Sequence, residues 1–152
     1  MLRKIVKHPL PTTYFFGAIV LAVASHYLLP LRRILDFPWR WAGLAPLFLG
    51  ILLNLLADRA FKKHSTTVKP FEKSSFLVAE GVFGISRNPM YAGMTLILFG
   101  IAVLLGTLSP FVFAIVLPIL FDRVFIRREE QMLAETFGDH FEEYRGRVRK
   151  WI

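Results

Sequence analysis

Four apolar runs, at residues 14–31, 39–57, 88–106 and 110–126, are separated by blocks that hold most of the charge. This segregation constrains the fold more than any single motif. A soluble domain keeps a polar exterior along every element, so its charges interleave with its apolar residues. Where the surroundings change from lipid to water along the chain, the lipid-facing backbone must satisfy its own hydrogen bonds, and helices do this within one segment. With 55% hydrophobic residues in 152 positions, the chain predicts a single all-α domain. It would be an integral membrane protein with four transmembrane helices, a long loop at 58–87 and a C-terminal amphipathic helix at 127–151.

The first run, 18 residues long, would span about 27 Å at 1.5 Å per residue. Arg3, Lys4 and Lys7 before it, with Ala22-Val23-Ala24 inside it, resemble a signal peptide. The apolar stretch continues past that point, which favours an uncleaved helix. Trp39 and Trp41 open the second run at interface depth, and Asn54 near its end predicts an interhelical hydrogen bond. Pro89 suits the first turn of the third helix. Thr107-Leu108-Ser109 makes so short a connection that the third and fourth helices must be antiparallel neighbours. Pro118 predicts a kink in the fourth.

Between the second and third runs, Arg59, Lys62, Lys63, Lys69 and Lys73 with Pro70 and Gly81 predict irregular structure with room for a short interfacial helix. Phe61, Phe71, Phe76 and Phe83 would dock it on the bundle or bilayer. After the fourth run, Met132, Leu133, Phe137, Phe141 and Tyr144 recur at helical spacing, with a local break expected at Gly138.

Of the 19 Lys and Arg residues, 16 lie in the N-terminal segment, the long loop through Arg87 and the segment from Arg123 onward. Positive charge stays in the cytoplasm, which predicts that both termini and these segments share that side. The net charge of +8 is thereby assigned to membrane orientation and anionic headgroups, not to nucleic acid. The absence of cysteine excludes thiolate chemistry and disulfides, and His8, His26, His64 and His140 lack metal-ligand spacing, so no metal is expected.

Two polar clusters then fall on the same side. One holds Gly81, Arg87, Asn88, Tyr91 and Gly93 at the start of the third helix; the other holds Arg127, Arg128, Glu129 and Glu130 just past the fourth. Fixed polar groups at a membrane boundary are costly unless they serve a function. An Arg with backbone amides at a helix N-terminus suits a carboxylate or phosphate. Glutamates suit an ammonium or the hydroxyls of a ribose, and a nucleoside linked to an amino acid offers all of these.

Residues 77–152 resemble the catalytic core of the isoprenylcysteine carboxyl methyltransferase and phospholipid methyltransferase superfamily of integral membrane enzymes. The matching residues are Leu77, Val78, Gly81, Phe83, Arg87-Asn88-Pro89-Met90-Tyr91, Gly93, Glu129-Glu130, Leu133, Phe137-Gly138, Tyr144 and Val148. The resemblance implies a S-adenosylmethionine pocket. Leu77 and Val78 would lie near the adenine, with Gly81 and Phe83 in the same stretch. Arg87, Asn88 and Tyr91 would surround the cofactor, and Glu129 and Glu130 would close the other side. Glu129, with Arg127 and Arg123, would stand nearest the chemistry. The methyl acceptor would be lipophilic and enter from the bilayer: an isoprenylcysteine-type carboxylate, an aminophospholipid or a thiol. Asn88 stands where carboxyl methyltransferases usually have His, Phe83 where they have Tyr, and Phe125 where an Arg is expected. Two other readings compete. One is a non-catalytic four-helix membrane protein, such as a small transporter or assembly partner, with Asn54, Asp122 and Arg123 lining a pathway. The other is a membrane reductase using a nicotinamide cofactor.

Overall fold

Residues 10–64 and 76–152 are described by the computed structural model. Pro11 begins α1 (Pro11–Leu28), in a first-turn position where its missing N–H is no loss. A 3₁₀ turn, Trp39–Gly43, leads into α2 (Leu44–Lys63). A second 3₁₀ turn, Gly81–Gly84, precedes α3 (Pro89–Leu105), which Pro89 opens in the same manner. After α4 (Leu108–Phe121) the chain passes through a π-helical stretch, Asp122–Ile126, into α5 (Arg127–Phe137) and then α6 (Asp139–Arg147).

Helix α1 packs on α4 and α3, α4 on α3, and α2 on the other side of α3. Between α3 and α4, Gly106 takes φ +76, a conformation that glycine adopts without steric penalty. Its carbonyl accepts from the N–H groups of Ile34 and Leu35 at 2.9 and 3.1 Å, and Thr107 meets Nδ1 of His26 at 2.8 Å. The antiparallel α3–α4 hairpin is thus pinned at one end by the loop after α1. At the other end lie the C-terminus of α2, the start of α3 and the helices α5 and α6.

Trp39–Lys63 and Leu108–Phe137 are each long and apolar enough to cross a membrane, and Pro89–Leu105 is a shorter apolar helix. Large apolar side chains face outward on the bundle, among them Phe16 and Val20 on α1, Phe48 and Leu52 on α2, and Ile115 and Ile119 on α4. Such contiguous exposed apolar surface is what a lipid-facing bundle presents.

Helices α2 and α3 approach through paired glycines seven residues apart. A Cβ added to Gly100 would lie 2.6 Å from the carbonyl oxygen of Gly43, and one on Gly93 would lie 2.7 Å from that of Gly50. Only glycine permits that approach, the arrangement that small residues provide between membrane helices.

Four sequence expectations are corrected. Helix α2 does not stop at residue 57. It continues to Lys63 because Asp58 and Lys62 pair along the exposed turn at 2.6 Å, while Ala57 and Phe61 pack on Val82 and Phe83. Asn54 donates to the carbonyl of Gly50 on its own helix at 3.0 Å instead of bridging helices. Its side chain fills the space left by Gly93, where a Cβ could not coexist with it. The helix expected over 127–151 has its expected break at Gly138, with φ +52, but it ends at Arg147 and not at 151, because the last residues turn extended from Val148. Helix α4 begins at Leu108, so the connection is shorter than expected. Residues Lys69, Pro70, Phe71 and Lys73, like Arg3, Lys4, Lys7 and His8, lie outside the described residues.

Candidate functional site

Asn88 immediately precedes α3, and its backbone N–H donates to the Ser86 hydroxyl at 3.1 Å. This local bond supplies the turn that a helix start requires when the next residue is proline. It directs Arg87, Asn88 and Tyr91 toward α5 and the C-terminal segment.

Arg87 is tied to α5 and the C-terminal segment through its Nε, its Nη1 and its backbone N–H. Its Nε donates to Oε1 of Glu130 at 3.0 Å, and its Nη1 to the carbonyls of Arg145 at 3.0 Å and Val148 at 2.8 Å. Its backbone N–H donates to the carbonyl of Arg149 at 2.9 Å. Asn88 Nδ2 donates to the Lys150 carbonyl at 3.1 Å and reaches Glu130 at 3.4 Å. Carbonyls freed at the end of α6 are therefore satisfied by the 86–88 turn, which explains why the chain folds back there. Tyr144 donates from its hydroxyl to the Phe83 carbonyl at 2.7 Å and is buried with Phe141 and Val148 against Leu77 and Ala79. Val78 and Phe83 are buried in the neighbouring cluster beneath α2. Burial pushes the Tyr144 phenol above its usual range, so it remains a donor at every physiological pH.

Tyr91 and Glu129 form the other half. The phenol donates to Oε1 of Glu129 at 2.7 Å, and Tyr91 packs against Phe121 and Phe125, with centroids 4.9 and 6.2 Å away. Phe125 is fully buried and Tyr14 of α1 meets it edge-on. Glu129 lies beyond the apolar part of its helix, which ends at Ile126. Burial pushes its carboxyl above the ordinary carboxylate range, the phenol pulls it partly back, and neighbouring Glu130 raises it further. No cation among the described residues offsets that load, so a positively charged ligand would relieve it.

The structure brings Leu77, Val78, Phe83, Arg87, Asn88, Tyr91, Glu129 and Glu130 to one end of the bundle. Gly81, at φ +60, belongs to the turn that leads to them. Arg123 and Arg127 do not join the Tyr91–Glu129 pair; they face a separate groove with Trp151. Asn54 lies in the α2–α3 seam against Gly93, while Asp122 and Arg123 line the groove with Trp151. The sequence reading missed Ser86, whose spacing before Asn88-Pro89 is a turn signal, and Lys150, which bonds Asp122 at 2.9 Å and approaches Glu130 at 4.0 Å. It also missed the Asp122–Arg127 ion pair at 3.1 Å. Residues five apart meet there because the turn is π-helical, and nothing local in the sequence marks that.

The Arg87–Glu130 pair is almost wholly buried, with side chains 9% and 13% exposed. Removing Arg87 leaves Glu130 with only the longer contacts to Asn88 at 3.4 Å and Lys150 at 4.0 Å. Arg87→Met is expected to lower stability by about 3 kcal/mol or more, read as a fall in thermal midpoint in detergent. Adding Glu130→Gln should restore part of it. An unchanged midpoint for the single variant would show that the pair does not hold the C-terminal segment.

The family model for phospholipid methyltransferase (PEMT) matches residues 39–140. Over 81 residues the chain is 36% identical to the protein-S-isoprenylcysteine O-methyltransferase of Schizosaccharomyces pombe, covering 53% of this chain and 34% of that protein. The solved structure of a eukaryotic intramembrane Ras methyltransferase, an isoprenylcysteine carboxyl methyltransferase, shares its fold. The TM-score is 0.67 at 24% identity, over 93% of this chain and 51% of that one. The chain thus spans about a third of the curated relative and half of the solved one. Because the family model covers well over half of its residues, spanning the α2–α3 seam, the 86–91 turn and the Glu129–Glu130 pair, the chain belongs to the phospholipid methyltransferase family.

Proposed function

We propose that this protein is a S-adenosylmethionine-dependent methyltransferase of the membrane, acting on a lipophilic acceptor. The observation that carries the reading is Glu129: a carboxylate crowded by burial and by Glu130, aimed by Tyr91, and lacking a counter-cation among the described residues. S-adenosylmethionine carries two cationic centres, a sulfonium and an ammonium, and aromatic rings beside the carboxylate favour a cation further. The donor set therefore fits the cofactor. Leu77, Val78 and Phe83 would provide the apolar side of the pocket, near Gly81, and Glu130 with Arg87 and Asn88 its polar frame. In this frame Arg87 acts by fixing the C-terminal segment as a wall, since its guanidinium is already bonded to that segment. Arg127 and Arg123 would lie on the bilayer side of the same helix end, toward the approaching acceptor. The charge bias of the chain favours a cytoplasmic site.

The bound cofactor would supply an activated methyl group; the protein's contribution is placement and exclusion of water. Phe121 and Phe125 seal one side of Tyr91. The Tyr91 phenol holds Glu129 in a single orientation. For a carboxylate or thiolate acceptor no base is required. For an amine, Glu129 or Glu130 would take the proton.

Calorimetry on the detergent-purified protein should detect S-adenosylmethionine binding, and its absence across several detergents would overturn the reading. The pH dependence follows from Glu129. A cation binds its ionised form, so affinity should fall as pH drops through the raised pKa of the free protein. That decline should begin at higher pH than for an ordinary carboxylate. A flat affinity down to the usual carboxylate range would show that Glu129 does not carry the contact.

A further inference from the structure

Where the apolar part of α4 gives way to charge, a groove of about 300 Å³ is lined by Pro118, Ile119, Asp122, Arg123, Arg127 and Trp151. Three charged groups line it, Asp122, Arg123 and Arg127. Asp122 accepts from Nε of Arg127 at 3.1 Å and from Nζ of Lys150 at 2.9 Å, so its charge is compensated twice. Lys150 also lies 4.0 Å from Glu130. Arg123 is exposed and makes no ion pair among the described residues. The groove therefore carries surplus positive charge.

Its apolar side continues outward along the helix. Ile119, Ile115 and Val112 are 55%, 63% and 51% exposed and recur at three-to-four spacing, giving a track roughly 10 Å long. Trp151 stands at the charged end, where an amphipathic ring marks the membrane interface. Cationic groups at the head of an apolar track complement a molecule with an anionic head and a hydrocarbon tail.

We infer that this groove binds the phosphate of an anionic phospholipid, with an acyl chain lying along Ile119, Ile115 and Val112. Arg123 and Arg127 hold the phosphate, and Asp122 fixes the orientation of Arg127. Such binding does not require methyl transfer and can be tested apart from it.

The full-length protein in nanodiscs of mixed phosphatidylglycerol and phosphatidylcholine would be released into native mass spectrometry, and the lipid retained counted. The wild type should keep phosphatidylglycerol over phosphatidylcholine. Arg123→Gln, which breaks no ion pair among the described residues, should reduce that preference several-fold, and Arg123→Gln with Arg127→Gln by roughly 30-fold. Thermal midpoints report whether the variants fold, and Arg40→Gln, at the opposite end of the bundle, serves as the control that keeps the preference. Equal retention of the two lipids by wild type, or a preference unchanged in the folded Arg123→Gln protein, would overturn the proposal. So would inorganic phosphate at millimolar concentration displacing the retained lipid completely, since the groove would then read free phosphate and not a lipid.

Discussion

Glu129→Gln is expected to weaken S-adenosylmethionine binding by at least 30-fold while leaving the protein folded. Glutamine has the same shape and can still accept the Tyr91 hydroxyl that Glu129 accepts at 2.7 Å. Only the charge is lost. Truncating one side of a buried, hydrogen-bonded charge contact costs about 2–5 kcal/mol, and each 1.4 kcal/mol is a factor of ten in affinity. The substitution also removes a burdened carboxylate, so the free protein should be at least as stable as wild type, which separates loss of binding from loss of structure. Tyr91→Phe should do less, since the carboxylate remains and loses only its orienting donor. S-adenosylhomocysteine, whose sulfur is neutral, adds a second test. A smaller loss for it than for S-adenosylmethionine places the carboxylate on the sulfonium, and an equal loss places it on the ammonium. Titration calorimetry of the Gln variant showing affinity within threefold of wild type would end the assignment.

The second large effect is expected at the α2–α3 seam. A valine at Gly93 would drive its Cβ against the Asn54 amide and to 2.7 Å from the Gly50 carbonyl oxygen. At Gly50 the corresponding Cβ would meet Cγ1 of Ile97 at 2.8 Å. Two backbones cannot repack as a side chain can, so the helices must separate along their length. Gly93→Val and Gly50→Val should each cost about 3 kcal/mol or more, lowering the midpoint by about 6 °C or more. Gly17 on α1 is the control, since a methyl group added there would meet nothing within 4 Å. Gly17→Ala should be neutral or slightly stabilising, because glycine inside a helix is less favourable than alanine. If Gly93→Val melts with wild type, the close glycine seam does not exist in the folded protein.

The two effects connect. Helix α3 carries Gly93 and Gly100 on its α2 side and Tyr91 toward α4 and α5, so a shift of the seam moves the phenol that aims Glu129. Seam variants should therefore lose S-adenosylmethionine binding even where they remain folded.

How much of this was legible in the residues follows from how local each feature is. The apolar runs, the proline starts of α1 and α3, and the forced α3–α4 hairpin depend on composition and on positions a few residues apart, so they can be read directly. The two halves of the candidate site could also be named, because Arg87-Asn88-Pro89-Met90-Tyr91 and Glu129-Glu130 are local strings and the short connection ties their helices together. Helix ends were less legible. Residues Asp58 to Lys63 look like loop by charge, yet they extend α2 because Phe61 finds Phe83, more than twenty positions away, with centroids 5.0 Å apart.

Pairing across the fold was decided by tertiary structure alone. Arg87 is an available cation in the sequence, but in the fold its Nε and Nη1 are taken by the carboxylate of Glu130 and the carbonyls of Arg145 and Val148. Arg123 and Arg127 flank the expected site in sequence, yet the π-helical turn pairs Arg127 with Asp122 and sets both arginines on a different groove. Periodicity and composition fix which segments are helices and which of their faces are apolar, since these depend on neighbours within a turn or two. Rotation and register between helices depend on a few close approaches, here Gly43 to Gly100 and Gly50 to Gly93, between residues that no local pattern links.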